Sequence, residues 1–333
     1  MTDRFIRGSY YGGAVDYYKA YGENLHYYDV NSLYPYAMLK PMPLNLIRSI
    51  DGEQCNTIDI NEFYGFLEVD VECPDFIKKP VLPLKYKGKT IYPRGKWTST
   101  YFSHAWQELK EVIKLGYKIH KIHHAKEFEA DTLFNDYILE MYQLKKVAKG
   151  GHAWERWIAK LLQNSLYGLF GRNKETLHSI IINADNLDNY ITTNIIKNII
   201  HVSEDKLTLL VLGNVESDIT TKLNSIFNAN VTQFYKVVKS NIAIASAITS
   251  YARIHMLKYK LSDSVYYTDT DSIFTDKPLN ISEISSELGF MKDELDGNVI
   301  SKAYFLGIKQ YGYCYFDKNS NRVEKSVWAM HEV

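Results

Sequence analysis

Two aspartates lie at or between short apolar segments that are far apart in the chain. Asp29 follows the segment Leu25–Tyr28, and Asp271 lies in an acidic turn between the apolar arms 264–267 and 272–274. Two carboxylates on rigid strands are enough protein ligands for a pair of Mg²⁺ ions, because Mg²⁺ keeps several of its waters. Such ions activate a hydroxyl and neutralise a triphosphate in phosphoryl transfer. Each aspartate taken singly is more simply interpreted as part of a polar turn, and only the surrounding residues favour the metal-binding interpretation.

A lysine, an asparagine and a tyrosine share one predicted helix face. Lys160, Asn164 and Tyr167 are spaced at i, i+4 and i+7, which places them on the same side of a helix. Such a face can present an ammonium to phosphates and an aromatic ring to a base pair. The stretch 141–174 contains seven Lys or Arg residues and one acid, Glu155. A solvated helix face usually mixes charges of both signs, so this stretch favours contact with phosphates.

Hydrophobic periodicity predicts the elements that would position these groups. The predicted elements are, in chain order, strands over 25–30 and 64–72, helices over 131–144, 154–170 and about 240–258, and a hairpin over 264–274. Gly150-Gly151 predicts the turn between the first two helices. Residues 174–239 have weak periodicity, and we expect an insertion there with a hairpin near Leu207–Leu212. Strands separated by long helical and irregular segments predict an α+β fold.

The composition is that of an ordinary globular protein, with 46% hydrophobic and 23% charged residues and a formal net charge of zero. A basic surface for a nucleic acid must therefore be local. Cys55, Cys73 and Cys314 are far apart and odd in number, which argues against a disulfide framework or a zinc site. No signal peptide and no run of ~20 apolar residues is visible, so we expect an intracellular protein with no membrane partner.

Three ordered motifs in this chain resemble those of family B DNA polymerases. They are DxxSLYP at Asp29–Pro35, Kx3NSxYG at Lys160–Gly168 and YxDTDS at Tyr267–Ser272. One acidic motif alone is weak support, whereas three in the family's order are strong. The resemblance implies a right-hand palm-and-fingers fold and template-directed synthesis from deoxynucleoside triphosphates on a DNA primer-template. It also implies two Mg²⁺ ions, which Mn²⁺ could replace.

A narrower resemblance is to the protein-primed branch, found in bacteriophages and linear mitochondrial plasmids. Tyr10–Gly13 resembles its YxGG motif, and Lys309–Tyr311 resembles its KxY motif. Lys302–Tyr304 also fits KxY but stands closer to the acidic hairpin than expected, so Lys309 is preferred. The resemblance implies a terminal protein as a possible primer and the mitochondrion as a possible location.

The same resemblance implies a division of the chain into five parts. They are 1–44 as the first part of the palm, 45–130 as a palm extension with a first terminal-protein-region-like insertion, 131–173 as fingers, 174–239 as a second insertion, and 240–333 as palm with the start of a truncated thumb. An exonuclease domain is expected to be missing. We therefore expect no proofreading and weak, salt-sensitive binding of primer-template by this chain alone.

Carried over residue by residue, the resemblance assigns roles to three groups of side chains. Asp29, Asp271 and the Val30 carbonyl would hold the metal ions, and Asp269 would assist the reaction. The nucleotide-binding residues would be Leu33, Tyr34, Lys145, Lys160, Asn164 and Tyr167. The DNA-binding residues would be Tyr10, Gly12, Gly13, Ser32, Lys309 and Tyr311. A Tyr34 ring packed under the sugar would leave no room for a 2′-hydroxyl, the group that separates ribonucleotides from deoxyribonucleotides.

Two other functions remain open from the sequence alone. The first is a catalytically inactive or partial DNA-binding remnant of such a polymerase, and the intact motif set argues against it. The second is an RNA polymerase or reverse transcriptase with a palm, against which Tyr34 and the helix motif argue. A second acid-free basic run, 76–107, is expected to contact DNA or to form an exposed loop.

Three patterns that resemble other sites are interpreted as structural. Asp70 and Glu72 have the spacing of an exonuclease motif, but they alternate with Val69 and Val71 as in a half-buried strand. Gly88-Lys89-Thr90 resembles the end of a phosphate-binding loop but lacks its leading glycine. Three nearby histidines are interpreted as a surface cluster: His120, His123 and His124.

Overall fold

A computed structural model of the protein describes residues 2–103, 108–147, 153–172, 177–193, 196–212 and 240–328. The chain forms two compact units, which are treated separately. The first unit is Met1–Tyr167 together with Ile242–Val333, and the second is Gly168–Asn241. No helix in the described ranges combines the length and the hydropathy that a membrane span requires.

Helices and strands alternate irregularly along the chain, as expected for an α+β fold. The helices are α1 (Thr2–Ser9), α2 (Leu33–Met38), α3 (Glu108–Lys114), α4 (Asn135–Val147), α5 (Ala153–Phe170), α6 (Leu187–Thr193) and α7 (Ile242–Lys260). The first strands are β1 (Val15–Tyr17), β2 (Tyr21–Gly22), β3 (His26–Val30), β4 (Met42–Asp51), β5 (Gly65–Cys73), β6 (Leu84–Tyr86), β7 (Lys89–Ile91), β8 (Gly95–Ser103) and β9 (Lys118–Asp131). The remaining strands are β10 (Leu177–Asn183), β11 (Ile196–His201), β12 (Lys206–Leu212), β13 (Val265–Asp269), β14 (Ser272–Thr275), β15 (Met291–Asp293), β16 (Ile300–Gly307), β17 (Gln310–Phe316) and β18 (Arg322–Trp328).

A five-stranded antiparallel sheet in the order β1-β13-β14-β3-β15 carries both aspartates. The predicted strand over 25–30 is confirmed as β3, and the predicted hairpin is confirmed as β13–β14. The predicted helix over 240–258 is confirmed as α7. Ala245, Ser246 and Ala247 are fully buried in α7, and the Ser246 hydroxyl lies 2.8 Å from that of Ser9 at the end of α1. Small side chains permit this close approach.

A second antiparallel sheet, in the order β4-β9-β5-β8, forms much of 45–130. The period-two prediction for 64–72 is confirmed, because Leu67, Val69 and Val71 are fully buried whereas the acids between them are partly exposed. Acids of β5 pair with histidines of β9: Asp70 with His123 at 2.8 Å, and Glu72 with His120 at 2.6 Å. These residues therefore form cross-strand pairs on the outer face of the sheet.

The predicted start of the first helix is wrong by four residues. Asp131 is the last residue of β9, where it pairs with Met42 of β4, so α4 begins only at Asn135. The pairing partner lies far away in sequence, and helical periodicity within 131–144 contains no information about it. The predicted helix over 154–170 is confirmed as α5, and the expected turn at Gly150-Gly151 lies outside the described residues.

Within the second unit, β12 is the central strand of an antiparallel sheet in the order β10-β12-β11. The hairpin expected near Leu207–Leu212 is confirmed as β11–β12. The buried core of this three-stranded sheet consists of Ile182, Leu207, Leu209 and Val211. Part of the stretch predicted to be an insertion, residues 213–239, lies outside the described residues.

A fourth sheet, in the order β18-β17-β16-β2, packs its aromatic residues against the strands that carry the acidic turn. The rings of Tyr267 and Phe305 stack with centroids 5.2 Å apart, and Phe274 lies 5.3 Å from Tyr311. Aromatic pairs of this kind add stabilisation beyond the area that they bury. The cluster therefore fixes β13, β14 and the β16–β17 turn against one another.

Candidate active site

Asp29 and Asp271 are brought together by the pairing of β3 with β14. Asp29 lies directly opposite Ser272 in this antiparallel pair, and the Val30 amide donates a 2.8 Å hydrogen bond to the Asp271 carbonyl. Thr270 adopts a left-handed conformation with φ of 57° in the turn between β13 and β14. Its amide donates a hydrogen bond to the Ala14 carbonyl at 3.0 Å, so the N-terminal part of the chain also fixes the position of this turn.

Both aspartates line one cleft of about 810 Å³ in the first unit. The sequence-predicted residues on its wall are Asp29, Val30, Ser32, Leu33, Tyr34, Lys145, Lys160, Tyr167 and Asp271. Residues that sequence reasoning did not identify are also there: Asn31, Tyr142, Lys146, Ile284, Ser285, Ser286, Lys292, Asp293, Glu294 and Asp296. Segments from four distant parts of the chain therefore converge on a single cavity.

The cleft disfavours negative charge on its own carboxylates. Burial, then Asp271 and Glu294, raise the pKa of Asp29 to about 7, against the opposing effect of Lys292 and Lys160. Burial is also the main cause that raises the pKa of Asp271 to about 6, with a contribution from Asp269. A cation between the two side chains would remove this penalty, because an opposite charge nearby stabilises a carboxylate.

The donor set at this position suits a hard divalent cation. Asp29 and Asp271 supply two carboxylates on adjacent strands. The Val30 side chain is buried, so what this residue can offer to the cleft is its backbone carbonyl. Oxygen ligands of this number, together with water and substrate phosphates, match the preference of Mg²⁺.

Two tyrosines from different helices stack at the cleft wall. The rings of Tyr34 on α2 and Tyr167 on α5 have centroids 4.2 Å apart and planes inclined by 27°. Leu33 next to Tyr34 is buried and supports this wall from behind. Ser32, which precedes α2, has a left-handed backbone with φ of 55° that turns the chain from β3 into the helix. Asn164 lies on α5, but its side chain falls outside what the structure describes.

Helix α4 contributes two lysines to the lining of the cleft. The Lys145 ammonium donates to the Ser32 hydroxyl at 2.8 Å, and Lys146 pairs with Glu287 at 2.6 Å. Tyr142 donates its hydroxyl to the Ser286 carbonyl. Lys160 on α5 is exposed and acts on both aspartates by lowering their pKa. The cleft therefore combines two close carboxylates with several ammonium groups.

Asp269 faces a different partner from the other two aspartates. Both of its carboxylate oxygens accept hydrogen bonds from the Lys309 ammonium, at 2.7 and 2.8 Å. The Lys309 amide donates to the Tyr267 hydroxyl at 2.8 Å, and its left-handed backbone, with φ of 54°, forms the β16–β17 turn. Tyr311 is buried in the aromatic cluster, whereas Lys302 and Tyr304 lie exposed on β16. Of the two KxY candidates, Lys309 is the one that contacts the acidic hairpin.

The segment Tyr10–Gly13 passes directly behind that hairpin. A Cβ atom on Gly13 would stand 2.4 Å from the Thr270 methyl group, whereas one on Gly12 would meet nothing within 4 Å. Tyr10 is half-buried, and burial followed by the nearby Tyr167 raises its pKa. The glycine at position 13 is therefore required for close packing against the acidic turn.

A buried ion pair that sequence reasoning missed anchors this segment. Arg253 on α7 donates from Nε and Nη2 to the two carboxylate oxygens of Glu108, at 2.7 and 2.9 Å. Its Nη1 donates to the carbonyls of Tyr11 and Gly12, at 2.9 and 3.1 Å. No spacing pattern in the sequence links positions 11, 108 and 253. Glu294 and Lys292 were missed for the same reason, since β15 reaches Asp29 only through sheet pairing.

The comparison with known proteins agrees with this geometry. A family model described as DNA polymerase type B, organellar and viral, matches residues 1–264. A probable DNA polymerase of Neurospora intermedia is 34% identical over 332 residues, covering 96% of this chain and 32% of that protein. One of Podospora anserina is 32% identical, covering 95% and 27%. The DNA-directed DNA polymerase of Enterobacteria phage PRD1 is 24% identical, covering 90% and 49%.

Among solved structures, Phi29 DNA polymerase in complex with primer-template DNA and incoming nucleotide has a similar fold. It matches with a TM-score of 0.71 and 19% identity, covering 99% of this chain and 55% of that one. The chain thus spans about a third of the length of the fungal relatives and about half of the phage proteins. On the family match over residues 1–264, the chain belongs to the organellar and viral type B DNA polymerases.

Proposed function

We propose that this chain carries the polymerising site of a DNA-directed DNA polymerase, which adds deoxynucleotides to a primer 3′-hydroxyl by two-metal phosphoryl transfer. The observation that carries the proposal is the Asp29–Asp271 pair on adjacent strands, at the wall of a cleft that also holds lysines and stacked tyrosines. Named relatives support the same activity.

In this proposal Asp29, Asp271 and the Val30 carbonyl hold two Mg²⁺ ions, with Mn²⁺ as a substitute. The chemistry that the bound ions supply is activation of the 3′-hydroxyl and neutralisation of the triphosphate. The raised pKa values of Asp29 and Asp271 support this assignment, because they reflect burial first and the neighbouring carboxylates second. Asp269 assists indirectly, since it positions Lys309 through two hydrogen bonds.

The nucleotide is bound between α2, α4 and α5. Lys145 and Lys160 neutralise the triphosphate, since both line the cleft that contains the aspartates. Tyr167 and Asn164 line the nascent base pair, and Leu33 with Tyr34 forms the floor under the sugar. The Lys145 ammonium has three N–H donors, so it can contact a phosphate in addition to the Ser32 hydroxyl that it already binds.

The DNA is bound on both sides of the acidic hairpin. Tyr10, Gly12 and Gly13 contact the template strand, and the packing of Gly13 against Thr270, next to Asp271, supports this. Lys309 and Tyr311 hold the primer end, and Ser32 contacts DNA at the start of α2. In this scheme 1–44 and 240–333 are palm, with a thumb beginning toward 333. The fingers are 131–173, and 45–130 and 174–239 carry two insertions of the protein-primed branch.

The protein-primed branch also suggests a biological setting. We include in the proposal that the enzyme copies a linear plasmid-like or mitochondrial DNA and that a terminal protein serves as its primer. The family description, which covers organellar and viral enzymes, and the similarity to fungal and phage polymerases support this setting.

Primer extension with the purified chain tests the proposal. We expect a labelled primer on a defined DNA template to lengthen with Mg²⁺ and deoxynucleotides, and far less with ribonucleotides. Binding of the primer-template without extension, under low salt and with either Mg²⁺ or Mn²⁺, would instead indicate the inactive DNA-binding remnant. Preferential use of ribonucleotides would indicate an RNA polymerase.

A further inference from the structure

A two-stranded hairpin projects from the first unit next to the segment Tyr10–Gly13. It consists of β6 and β7, joined by Lys87 and Gly88, whose φ values of 48° and 77° form a two-residue turn. Positive φ at both central residues is the geometry that matches the twist of a tight hairpin. All residues from 85 to 91 are exposed, so this ribbon contributes little to the core of the unit.

The hairpin concentrates positive charge and an exposed aromatic ring. Lys85, Lys87 and Lys89 lie within five positions, and the sequence contains no acid between Asp75 and Glu108. The Tyr86 side chain is 55% exposed, and the Lys87 ammonium lies 5.5 Å from the centroid of its ring. Lysines beside an exposed aromatic ring are typical of surfaces that bind single-stranded nucleic acid, because every unpaired base offers a face for stacking.

The base of the hairpin is attached to the template-side segment. The Lys85 ammonium donates to the Arg7 carbonyl at 2.8 Å and lies 5.3 Å from the centroid of the Tyr11 ring. Gly13, at the other end of this segment, packs closely against Thr270, the residue before Asp271 of the cleft wall. The hairpin therefore contacts the segment Tyr10–Gly13, and this segment contacts the acidic turn that carries Asp271 into the cleft.

We propose that the β6–β7 hairpin binds the single-stranded 5′ part of the template before it reaches the cleft. The inference rests on the proposed polymerase function and adds a contact that none of the motifs assigns. Lys87 and Lys89 contact phosphates, and Tyr86 stacks on an unpaired base. Within a duplex the bases stack on one another and leave no free face for Tyr86, so the exposed ring favours a single strand over the double-stranded part of the template.

A binding experiment separates this contact from the rest of the site. Fluorescence anisotropy measures the affinity of the full chain for a primer-template with a 5′ overhang of about ten nucleotides, and for the same duplex with a blunt end. We expect the overhang to increase the affinity of the unaltered chain. The triple variant Tyr86→Ala, Lys87→Ala, Lys89→Ala should lose most of this increase, roughly tenfold, while its affinity for the blunt duplex is unchanged.

The salt dependence gives a second readout with a matched control. Two lost phosphate contacts on a single strand should reduce the slope of log affinity against log salt by about 1.4, for the overhang substrate only. The control is Phe316→Ala, Lys318→Ala, Lys325→Ala, which removes one exposed aromatic ring and two exposed lysines from the β17–β18 hairpin. This control should keep the full effect of the overhang, and thermal unfolding should be unchanged in both variants.

The proposal would be overturned if the overhang still increased the affinity of the hairpin variant. It would also be overturned if the variant lost as much affinity for the blunt duplex, because this would indicate contact with double-stranded DNA. Primer extension on a template with one unpaired nucleotide keeps the two proposals apart. If the unaltered chain extends this primer but the hairpin variant keeps its overhang effect, only the hairpin proposal fails. If the unaltered chain does not extend the primer, the polymerase proposal fails.

Discussion

Tyr34 is a single residue on which sugar selection can be tested. It stacks on Tyr167 at the cleft wall, where a smaller side chain would open space beside the sugar. We expect Tyr34→Val to admit ribonucleotides with little loss of deoxynucleotide use, measured as the ratio of kcat/KM for the two substrates. Tyr36→Val makes the same change on the same helix, where the ring packs near His255, and should leave this ratio unaltered. An unchanged ratio in Tyr34→Val would assign the steric role to another residue.

The functional role of a single residue was predictable from the sequence where the residue and its neighbours in the chain form a recognisable motif. Asp29, Asp271, Lys160 and Tyr167 stand in short motifs, and the structure brings all four to one cleft. Arg253 does not stand in such a motif, because its partners come from distant segments. Its role is visible only once the fold has brought those segments together.

At the scale of elements, the packing of Tyr10–Gly13 against the β13–β14 turn makes a sharp prediction. Gly13→Ala should lower the free energy of unfolding by about 1–3 kcal/mol, since its Cβ would collide with Thr270. Primer extension should fall more than about tenfold, because the displaced turn carries Asp271.

Gly12→Ala is the matched control for the unfolding measurement, since its Cβ would meet no atom within 4 Å. Thr270→Gly should partly restore the Gly13→Ala variant, because it removes the colliding side chain and suits the positive φ at that position. Equal free energies of unfolding in the two alanine variants would show that the close approach at Gly13 has no consequence for stability.

Elements with strong periodicity were predicted well, and their ends were not. The acids and valines of β5 alternate as expected, yet Phe66 is buried although it belongs to the same alternating set as the acids. Its ring packs against Phe102 and Phe128 of neighbouring strands. The start of α4 was misplaced because pairing between β4 and β9 extends as far as Asp131. Contacts between strands that are distant in sequence determine both the burial of Phe66 and the start of α4.

At the scale of the whole first unit, the Arg253–Glu108 pair connects α7, α3 and the N-terminal segment. Both side chains are at most 5% exposed, so replacing Arg253 by Met would leave a buried carboxylate without its partner. We expect Arg253→Met to lower the free energy of unfolding in urea by about 3–5 kcal/mol.

The comparison for this prediction is an exposed ion pair. Arg322→Met removes the partner of Glu324, where both side chains are more than 60% exposed, and should cost less than about 1 kcal/mol. Similar losses in the two variants would mean that burial of the Arg253–Glu108 pair adds nothing to stability.

The net charge of zero shows why whole-molecule properties were a poor guide to function. Basic residues are concentrated locally, in the stretch 141–174 and on the β6–β7 hairpin, while acids alternate along β5. The α+β class could be predicted from the order of elements. The arrangement of the sheets, four in the described part of the first unit and one in that of the second, could not, because it depends on pairings between remote strands.

The central claim is that Asp29 and Asp271 hold the metal ions of a polymerase site. The most direct measurement is the rate of single-nucleotide extension by Asp29→Asn and Asp271→Asn, with DNA binding measured in parallel. Asp263→Asn, an exposed aspartate on a loop, is the matched control. We predict a loss of roughly a thousandfold or more in each of the first two variants, with DNA affinity largely retained and the control unaffected. Extension at near-normal rates by both variants would contradict the account.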